Sequence, residues 1–173
     1  MSKVHTGYLL GIGSNIEPEL NIGQIIRLLS SQLAKLSLSR VLKIPPIGIN
    51  SQQYFYNLVV FIETTMTEIE LKAICNDIET SLGRDRSDPD RKVKDRTADL
   101  DILTKAVFPE DASRLVSSIT DEYFLYPLIE EMNAYLSDRD YLPQQAGVKI
   151  KIDDLTFGQA PTTINWDIST SNK

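Results

Sequence analysis

Apolar residues recur with two spacings along the chain, and these spacings predict alternating strands and helices. The uncharged run Tyr8–Ile12 stops at a Gly-Ser-Asn turn, as a buried strand entering a loop does. From Asn21 to Leu36, apolar residues return at three- and four-residue steps, which places them on one helical face. The segment Ser39–Ile44 alternates weakly, a loop is predicted from Pro45 to Gln53, and Asn57–Thr64 predicts a further strand.

The second half of the chain continues the alternation. A reciprocal capping pattern, Thr67 with Glu70, predicts the start of a helix that ends at Gly83. The predicted core face of this helix is Ile69, Leu71, Ile74, Cys75, Ile78 and Leu82. We expect a strand over Ala98–Leu103, a helix over Pro127–Leu136 and a late strand over Lys149–Leu155. Because two connections lack a helix, the order favours an α+β sandwich with a largely antiparallel sheet over a doubly wound parallel one.

Composition narrows the class of protein. With 173 residues, 42% of them hydrophobic, the chain predicts one domain over residues 1–156, followed by a polar tail over 157–173. A formal charge of -6 argues against a broad nucleic-acid surface. No apolar run reaches the roughly 18 residues of a membrane span, and the first apolar stretch is too short for a secretory signal. We therefore expect a cytoplasmic protein with no nucleic-acid or membrane partner and no obligatory protein partner.

Two aspartates in the predicted strand after residue 97 are the strongest candidates for chemistry. Side chains alternate along a strand, so Asp99 and Asp101 share one face with Cα atoms about 6.6 Å apart, while Leu100 and Ile102 face the other way. Such a pair can bridge two Mg²⁺ ions that also bind substrate phosphates. An isolated pair of this kind is more often one capping residue and one solvated acid, so its surroundings matter.

A basic loop comes directly before the acidic pair. It carries Arg84, Arg86, Arg91, Lys92, Lys94 and Arg96. The planar fork of arginine suits phosphate oxygens, although a loop in which arginines alternate with aspartates is commonly only a solvated surface. Its position beside the acidic pair favours phosphate binding.

A third set of candidates lies at the start of the strand predicted over Asn57–Thr64. Phe55 and Asn57 share one side of an extended segment, where a flat heterocycle could stack on the ring while the amide binds its edge. A core phenylalanine and a strand-capping asparagine explain the pair equally well. The turn Gly13-Ser14-Asn15 is by itself only a weak sign of a ligand site.

Taken in order, these motifs resemble the 6-hydroxymethyl-7,8-dihydropterin pyrophosphokinase family. The matching features are the strand-GSN-helix unit, PPIG from Pro45, F-x-N from Phe55, a helix ending in Gly83-Arg84, R-T-x-D-L-D-I from Arg96, and aromatic-x-L-x-P-L from Tyr123. The resemblance covers about Tyr8 to Leu136. It implies a ferredoxin-like α+β sandwich and pyrophosphoryl transfer from ATP to the pterin alcohol in folate biosynthesis, with AMP released.

The resemblance also implies roles for individual residues. Asp99 and Asp101 would ligate two Mg²⁺ ions, and Arg84 and Arg96 would be catalytic with them. The implied ATP contacts are Glu79, Arg84, Arg86, Arg96 and Ile102. The implied pterin contacts are Pro45, Pro46, Ile47, Gly48, Phe55, Asn57 and Tyr123.

The sequence also departs from the family pattern. Val93-Lys94-Asp95 stands where the family has an aromatic residue followed by Gly-Pro. A V-P-H segment and a further arginine are missing before Tyr123, and Asp121 and Glu122 stand there instead. These differences leave open an alternative, a diverged and weakly active or inactive relative that binds a pterin or a nucleotide.

Overall fold

An antiparallel sheet is the frame of the molecule. The computed structural model describes residues 3–47, 49 and 51–165. Its strands are β1 (His5–Ser14), β2 (Lys35–Leu38), β3 (Leu42–Ile44), β4 (Phe55–Glu63), β5 (Asp99–Phe108), β6 (Ile150–Ile152), β7 (Leu155–Phe157) and β8 (Thr162–Asn165). Its α-helices are α1 (Pro18–Gln32), α2 (Glu68–Ser81) and α3 (Tyr126–Leu136).

The order of the strands identifies the fold. The sheet runs β5-β1-β4-β2-β8 with every pair antiparallel, β3 pairs with β4, and β6 and β7 form a separate hairpin. The units β1-α1-β2 and β4-α2-β5 interleave in this sheet, which is the ferredoxin-like arrangement. The prediction of an α+β fold with a largely antiparallel sheet is confirmed.

Strand alternation divides the core between the two faces of the sheet. On one face, Tyr8, Leu10 and Ile12 of β1 belong to a buried cluster with the apolar residues of α1 and α2. On the other face, Leu9 belongs to a second cluster that α3 covers. Burial on both faces explains why the central strands read as nearly continuous apolar runs.

The first helix ends earlier than its sequence pattern predicts. It stops at Gln32, Leu33 is already extended, and Lys35–Leu38 forms β2. The step from Leu33 to Leu36 fits a helix, but the step from Leu36 to Leu38 fits a strand, and both of these leucines are fully buried in the sheet. The predicted helix over Asn21–Leu36 is therefore wrong in its last turn.

The second helix begins and ends as predicted, with one error on its core face. Thr67 and Glu70 form the reciprocal capping box, and Gly83 has a φ of +92° just beyond the last turn. Ile69, however, is 83% exposed, whereas Leu71, Cys75 and Ile78 are buried. Two residues span about 200° around a helix, so Ile69 cannot share the face of Leu71.

The chain after Phe157 differs from the predicted polar tail. Residues Thr162–Asn165 form β8, which pairs with β2, and Ser37 Oγ and Thr163 Oγ1 lie 3.0 Å apart. As far as Asn165, the expectation of a poorly anchored tail is wrong, because backbone pairing holds these polar residues at the sheet edge. The rest of that predicted tail lies outside the described residues.

The last two predicted elements have different outcomes. The helix predicted over Pro127–Leu136 is present as α3. The single strand predicted over Lys149–Leu155 is wrong in its extent, because the chain turns at Asp153, which has a φ of +51°, and the range is divided between β6 and β7. Within the ranges described, no helix has both the length and the apolar character that crossing a bilayer requires.

Candidate active site

A cavity of about 410 Å³ opens where β1, β4 and β5 lie side by side. Its charged lining residues are Arg84, Arg86, Lys92, Arg96, Asp99, Asp101 and Glu122. Its apolar lining residues, apart from the glycines, are Ile12, Ile44, Pro45, Ile47, Ile49, Phe55, Phe124 and Leu125. A ligand here would meet both a charged group and an aromatic surface.

Two glycines of β1 form the floor of this cavity. Gly13 pairs with Asn57 on one side and with Asp99 on the other, and Gly11 pairs with Asp101. A Cβ atom at Gly13 would stand 2.7 Å from Asn57 Oδ1, and one at Gly11 would stand 2.9 Å from Leu125 Cδ1. Because neither glycine has a side chain, Asn57 and Leu125 can lie close to the main chain of β1.

The aspartates of β5 share a face, as predicted from the strand period. Leu100 between them is buried in the core on the other side of the sheet. Burial, followed by the charge of Asp99, raises the pKa of Asp101 to about 6. The pair thus concentrates negative charge at the cavity wall.

Arg84 and Arg86 are held in place by a buried glutamate of α2. Glu79 is 1% exposed, and its Oε2 accepts from Arg84 Nη1 at 3.1 Å, from Arg86 Nη2 at 2.7 Å and from the Leu100 N–H at 2.8 Å. Arg84 Nη1 also donates to Asp99 Oδ1 at 2.6 Å. Arg86 Nη2 lies 3.5 Å from Asp99 Oδ1 and 3.6 Å from Asp101 Oδ1. Glu79 therefore orients both arginines toward the acidic pair.

Arg96 joins the charged and aromatic parts of the lining. Its guanidinium carbon lies 5.7 Å from the centre of the Phe55 ring, and its Nη1 is 3.4 Å from Asp99 Oδ2. Its main chain is held by Asn15, whose Oδ1 accepts from the Arg96 N–H at 2.7 Å. The GSN turn, a weak signal in the sequence, thus anchors the basic loop.

Asn57 presents a polar group that the described residues leave unpaired. The residue is 6% exposed and lines the cavity, and its Nδ2 has no hydrogen-bond partner there. Burying a donor without a partner costs free energy, so a ligand acceptor at this position would be stabilising. This is a physical reason to expect ligand recognition at Asn57.

Glu122 also lines the cavity, although none of the sequence motifs predicts it as a site residue. Burial raises its pKa to about 7, with further increases from Asp101 and then Asp99. Its main-chain N–H donates to Thr120 Oγ1 at 3.1 Å, while its carboxylate forms no hydrogen bond or ion pair with the residues described. Its neighbour Asp121 is exposed and lies outside the lining.

Several predicted site residues do not line this cavity. Ile102 packs against the core on the opposite face of the sheet, and Glu79 lies behind the arginines. Tyr123 is 62% exposed, and Phe124 lines the wall in its place. Pro45 and Ile47 line the cavity but Pro46 does not, and Gly48 lies outside the described residues.

The residues that sequence reasoning missed are those defined by contacts across the sheet. Gly11, Phe124 and Leu125 reach the cavity through strand register and the fold of the segment before α3. Lys94, one of the predicted phosphate-binding candidates, instead pairs with Asp88 at 2.6 Å. A hint of Phe124 was present in the sequence, because it directly follows Tyr123 in the aromatic motif.

The sequence of this chain matches a known protein family and several known proteins. The family profile described as 7,8-dihydro-6-hydroxymethylpterin-pyrophosphokinase matches residues 9–132. The chain is similar to proteins named 2-amino-4-hydroxy-6-hydroxymethyldihydropteridine pyrophosphokinase. One, from Bacillus subtilis, is 35% identical over 97 residues, covering 54% of this chain and 56% of the relative. One from Helicobacter pylori is 33% identical over 98 residues, covering 55% and 60%. The chain thus spans somewhat over half the length of these two curated relatives.

Proposed function

Because the chain belongs to the 7,8-dihydro-6-hydroxymethylpterin-pyrophosphokinase family, we propose that it transfers a pyrophosphoryl group from ATP to 6-hydroxymethyl-7,8-dihydropterin and releases AMP. One observation carries the proposal: a single cavity contains both the unpaired amide of Asn57 and an acidic pair flanked by arginines. The first suits the edge of a heterocycle and the second suits phosphates.

The pterin would lie between the aromatic lining and Asn57. Phe55 and Phe124 offer ring faces for stacking, and the Asn57 amide can both donate to and accept from the ring edge. Asn57 and Asp99 flank Gly13 in the sheet, so their Cα atoms are two strand spacings apart, about 10 Å. A bicyclic ring that spans this gap brings its hydroxymethyl group toward the acidic pair.

The triphosphate of ATP would lie against the basic side chains. Arg84, Arg86, Lys92 and Arg96 line the same cavity as the acids. Their donors can bind phosphate oxygens, and Glu79 supports the orientation of Arg84 and Arg86 from behind. Positioning and neutralisation of charge account for most of the catalysis of phosphoryl transfer.

The acidic pair fits Mg²⁺ by its donor set. Two carboxylates on one strand face supply hard oxygen ligands, and Asp101 is the less tightly paired of the two, since its Oδ1 lies 3.6 Å from Arg86 Nη2. Within the described residues no third acid completes a metal cluster, so phosphates and water would supply the other ligands. Bound Mg²⁺ would supply charge neutralisation at the phosphates. Asp99 and Asp101 are the residues that would hold two such ions.

The proposed reaction requires no covalent intermediate with the protein. The hydroxymethyl oxygen forms a bond to the β-phosphorus of ATP, its proton leaves, and the bond from that phosphorus to the bridging oxygen of AMP breaks. AMP takes the electron pair. The protein orients the two substrates so that the attacking and leaving oxygens are in line.

The partners in this account are small molecules. We propose that the protein acts in the cytoplasm, where its substrates would be found, and that the transfer needs no nucleic acid, membrane or second protein. All groups assigned to the reaction lie around one cavity of one chain.

The test is a turnover assay with defined substrates. The protein is incubated with ATP, Mg²⁺ and 6-hydroxymethyl-7,8-dihydropterin, and AMP is followed by chromatography. We expect AMP to form only when all three are present, and Asp101→Asn to abolish its formation. Binding of both ligands without AMP release would support the alternative of an inactive binding protein and would contradict the proposal.

A further inference from the structure

The segment before α3 places Glu122 beside the acidic pair. Leu125 lies over Gly11, since a Cβ atom there would be 2.9 Å from Leu125 Cδ1, and Gly11 pairs with Asp101 in the sheet. Glu122 and Phe124 line the cavity from this same short segment. Glu122 therefore lies where an aromatic wall meets the acidic pair.

The proposed substrate has its reacting atom in this region. With its ring at Phe124 and Asn57, the pterin would extend its hydroxymethyl group toward phosphates held near Asp99 and Asp101. The hydroxyl must lose a proton as its oxygen bonds to phosphorus. A nearby carboxylate without a partner is suited both to hold the hydroxyl and to take its proton.

Glu122 has the properties of such a group. Its carboxylate is partly buried and unpaired among the described residues, unlike Asp99, whose Oδ1 accepts from Arg84 at 2.6 Å. The charged groups that act on it are Asp101, Asp99 and Arg96, and it lines the same cavity as all three.

We propose that Glu122 accepts a hydrogen bond from the hydroxymethyl group of the pterin and then accepts its proton during transfer. The inference rests on the proposed function and adds a residue to it. In the balanced step, the hydroxyl O–H bond breaks with its proton passing to Glu122, the O–P bond to the β-phosphorus forms, and AMP leaves with the electron pair.

Two variants separate the hydrogen bond from the proton transfer. Glu122→Leu removes both abilities. Glu122→Gln has a side chain of the same length that keeps an acceptor oxygen, but it cannot take the proton. Asp121→Asn is the matched control, since Asp121 is an exposed acid outside the cavity. Thermal unfolding of each variant and binding of an ATP analogue with a methylene α,β-bridge verify that fold and nucleotide site are intact.

The hydrogen bond is tested by equilibrium binding. Each protein, saturated with Mg²⁺ and the ATP analogue, is titrated with 6-hydroxymethylpterin and with 6-methylpterin, which lacks the hydroxyl. We expect the parent and Asp121→Asn to prefer the hydroxymethyl ligand about tenfold, and Glu122→Leu to bind both about equally. A general loosening of the fold would weaken both ligands together and leave the ratio unchanged.

The proton transfer is tested by single-turnover release of AMP. We expect Glu122→Gln to react about 10²-fold more slowly than the parent with ATP-analogue affinity within threefold, and Asp121→Asn to react at the parental rate. A Glu122→Gln rate within threefold of the parent overturns the proton transfer, and an unchanged ligand preference in Glu122→Leu overturns the hydrogen bond. A parent that releases no AMP overturns the proposed function and the proton transfer with it, while the binding ratio still decides the hydrogen bond.

Discussion

Asn15 forms hydrogen bonds with both the N–H and the carbonyl oxygen of Arg96. The Asn15 N–H donates to the Arg96 carbonyl oxygen at 3.0 Å, and Asn15 Oδ1 accepts from the Arg96 N–H at 2.7 Å. Its Nδ2 also donates to Asp95 Oδ1 at 2.7 Å. A residue at the end of β1 therefore fixes the end of the basic loop and the start of β5, which carries the aspartates.

Replacing this asparagine should weaken the protein and its activity together. Asn15→Ala leaves the partly buried Arg96 N–H unpaired, and we expect the free energy of unfolding to fall by about 1 to 3 kcal/mol. AMP release should also slow, because Arg96 loses its fixed position. Urea unfolding and turnover assays measure the two effects. Asn76→Ala, at a half-buried position of α2, is the control, and an equal loss there would contradict the anchoring role.

Replacing Asp99 should destabilise the protein more than replacing Asp101, whereas either replacement should abolish catalysis. Asp99 accepts from Arg84, whose side chain is buried, whereas among the described residues the one basic group near Asp101 is Arg86, at 3.6 Å. We expect Asp99→Asn to reduce the free energy of unfolding by about 1.5 to 3 kcal/mol, and Asp101→Asn to leave it unchanged or raise it at pH 7. Both variants should lose Mg²⁺-dependent turnover. Near-parental AMP release by either would remove it from the proposed metal site.

Asn57 should contribute to binding of the pterin and not of ATP. Removing the amide with Asn57→Ala should weaken pterin affinity by about 1 to 3 kcal/mol, because a polar edge of the ligand is then left without its partner. Separate titrations with the pterin and with ATP measure the effect. Equal losses for the two ligands would mean that the residue supports the cavity as a whole.

The stability of the ligand-free protein should depend on the protonation of Glu122. Burial raises its pKa from 4.5 to about 7, so the folded state binds this proton more tightly than the unfolded state does. The contribution is fully present below pH 4.5 and is lost as pH rises through 7. Urea unfolding across this window should show a steeper decline for the parent than for Glu122→Gln. Parallel curves would show that the carboxyl titrates normally.

A buried ion pair should matter more for stability than any surface pair. The Arg40 and Glu131 side chains are 4% and 2% exposed, and their charged groups lie 2.5 Å apart. Glu131→Gln leaves the arginine unpaired and should reduce the free energy of unfolding by about 3 to 5 kcal/mol. Asp88→Asn removes the partner of Lys94 in a surface ion pair and should change the free energy of unfolding far less. Similar losses in urea unfolding would contradict this difference.

Local patterns predicted the parts of the fold that local physics determines. The capping box at Thr67 and the left-handed Gly83 are decided within a few residues, and both are confirmed. The strand period likewise placed Asp99 and Asp101 on one face. The error at Leu36 arose because its spacing fits a helix as well as a strand, and only pairing with β4 decides between them.

Contacts between distant segments cannot be predicted from the spacing of residues. Glu79 was expected near ATP, but its place behind Arg84 and Arg86 depends on how α2 packs beside β5. The position of Glu122 beside Asp101 depends on the fold of the segment before α3 and on the register of β1 with β5. Neither position can be predicted from the spacing of residues along the chain.

Pyrophosphoryl transfer moves the β-phosphorus of ATP onto the pterin, so a label on that phosphorus follows the reaction itself. The protein is given ATP labelled at the β-phosphate, Mg²⁺ and 6-hydroxymethyl-7,8-dihydropterin, and the labelled products are separated and identified by mass. We expect a labelled pterin that carries two phosphates, together with unlabelled AMP in equal amount. Label recovered in ADP, or remaining in ATP while the pterin stays unmodified, would contradict the proposed transfer.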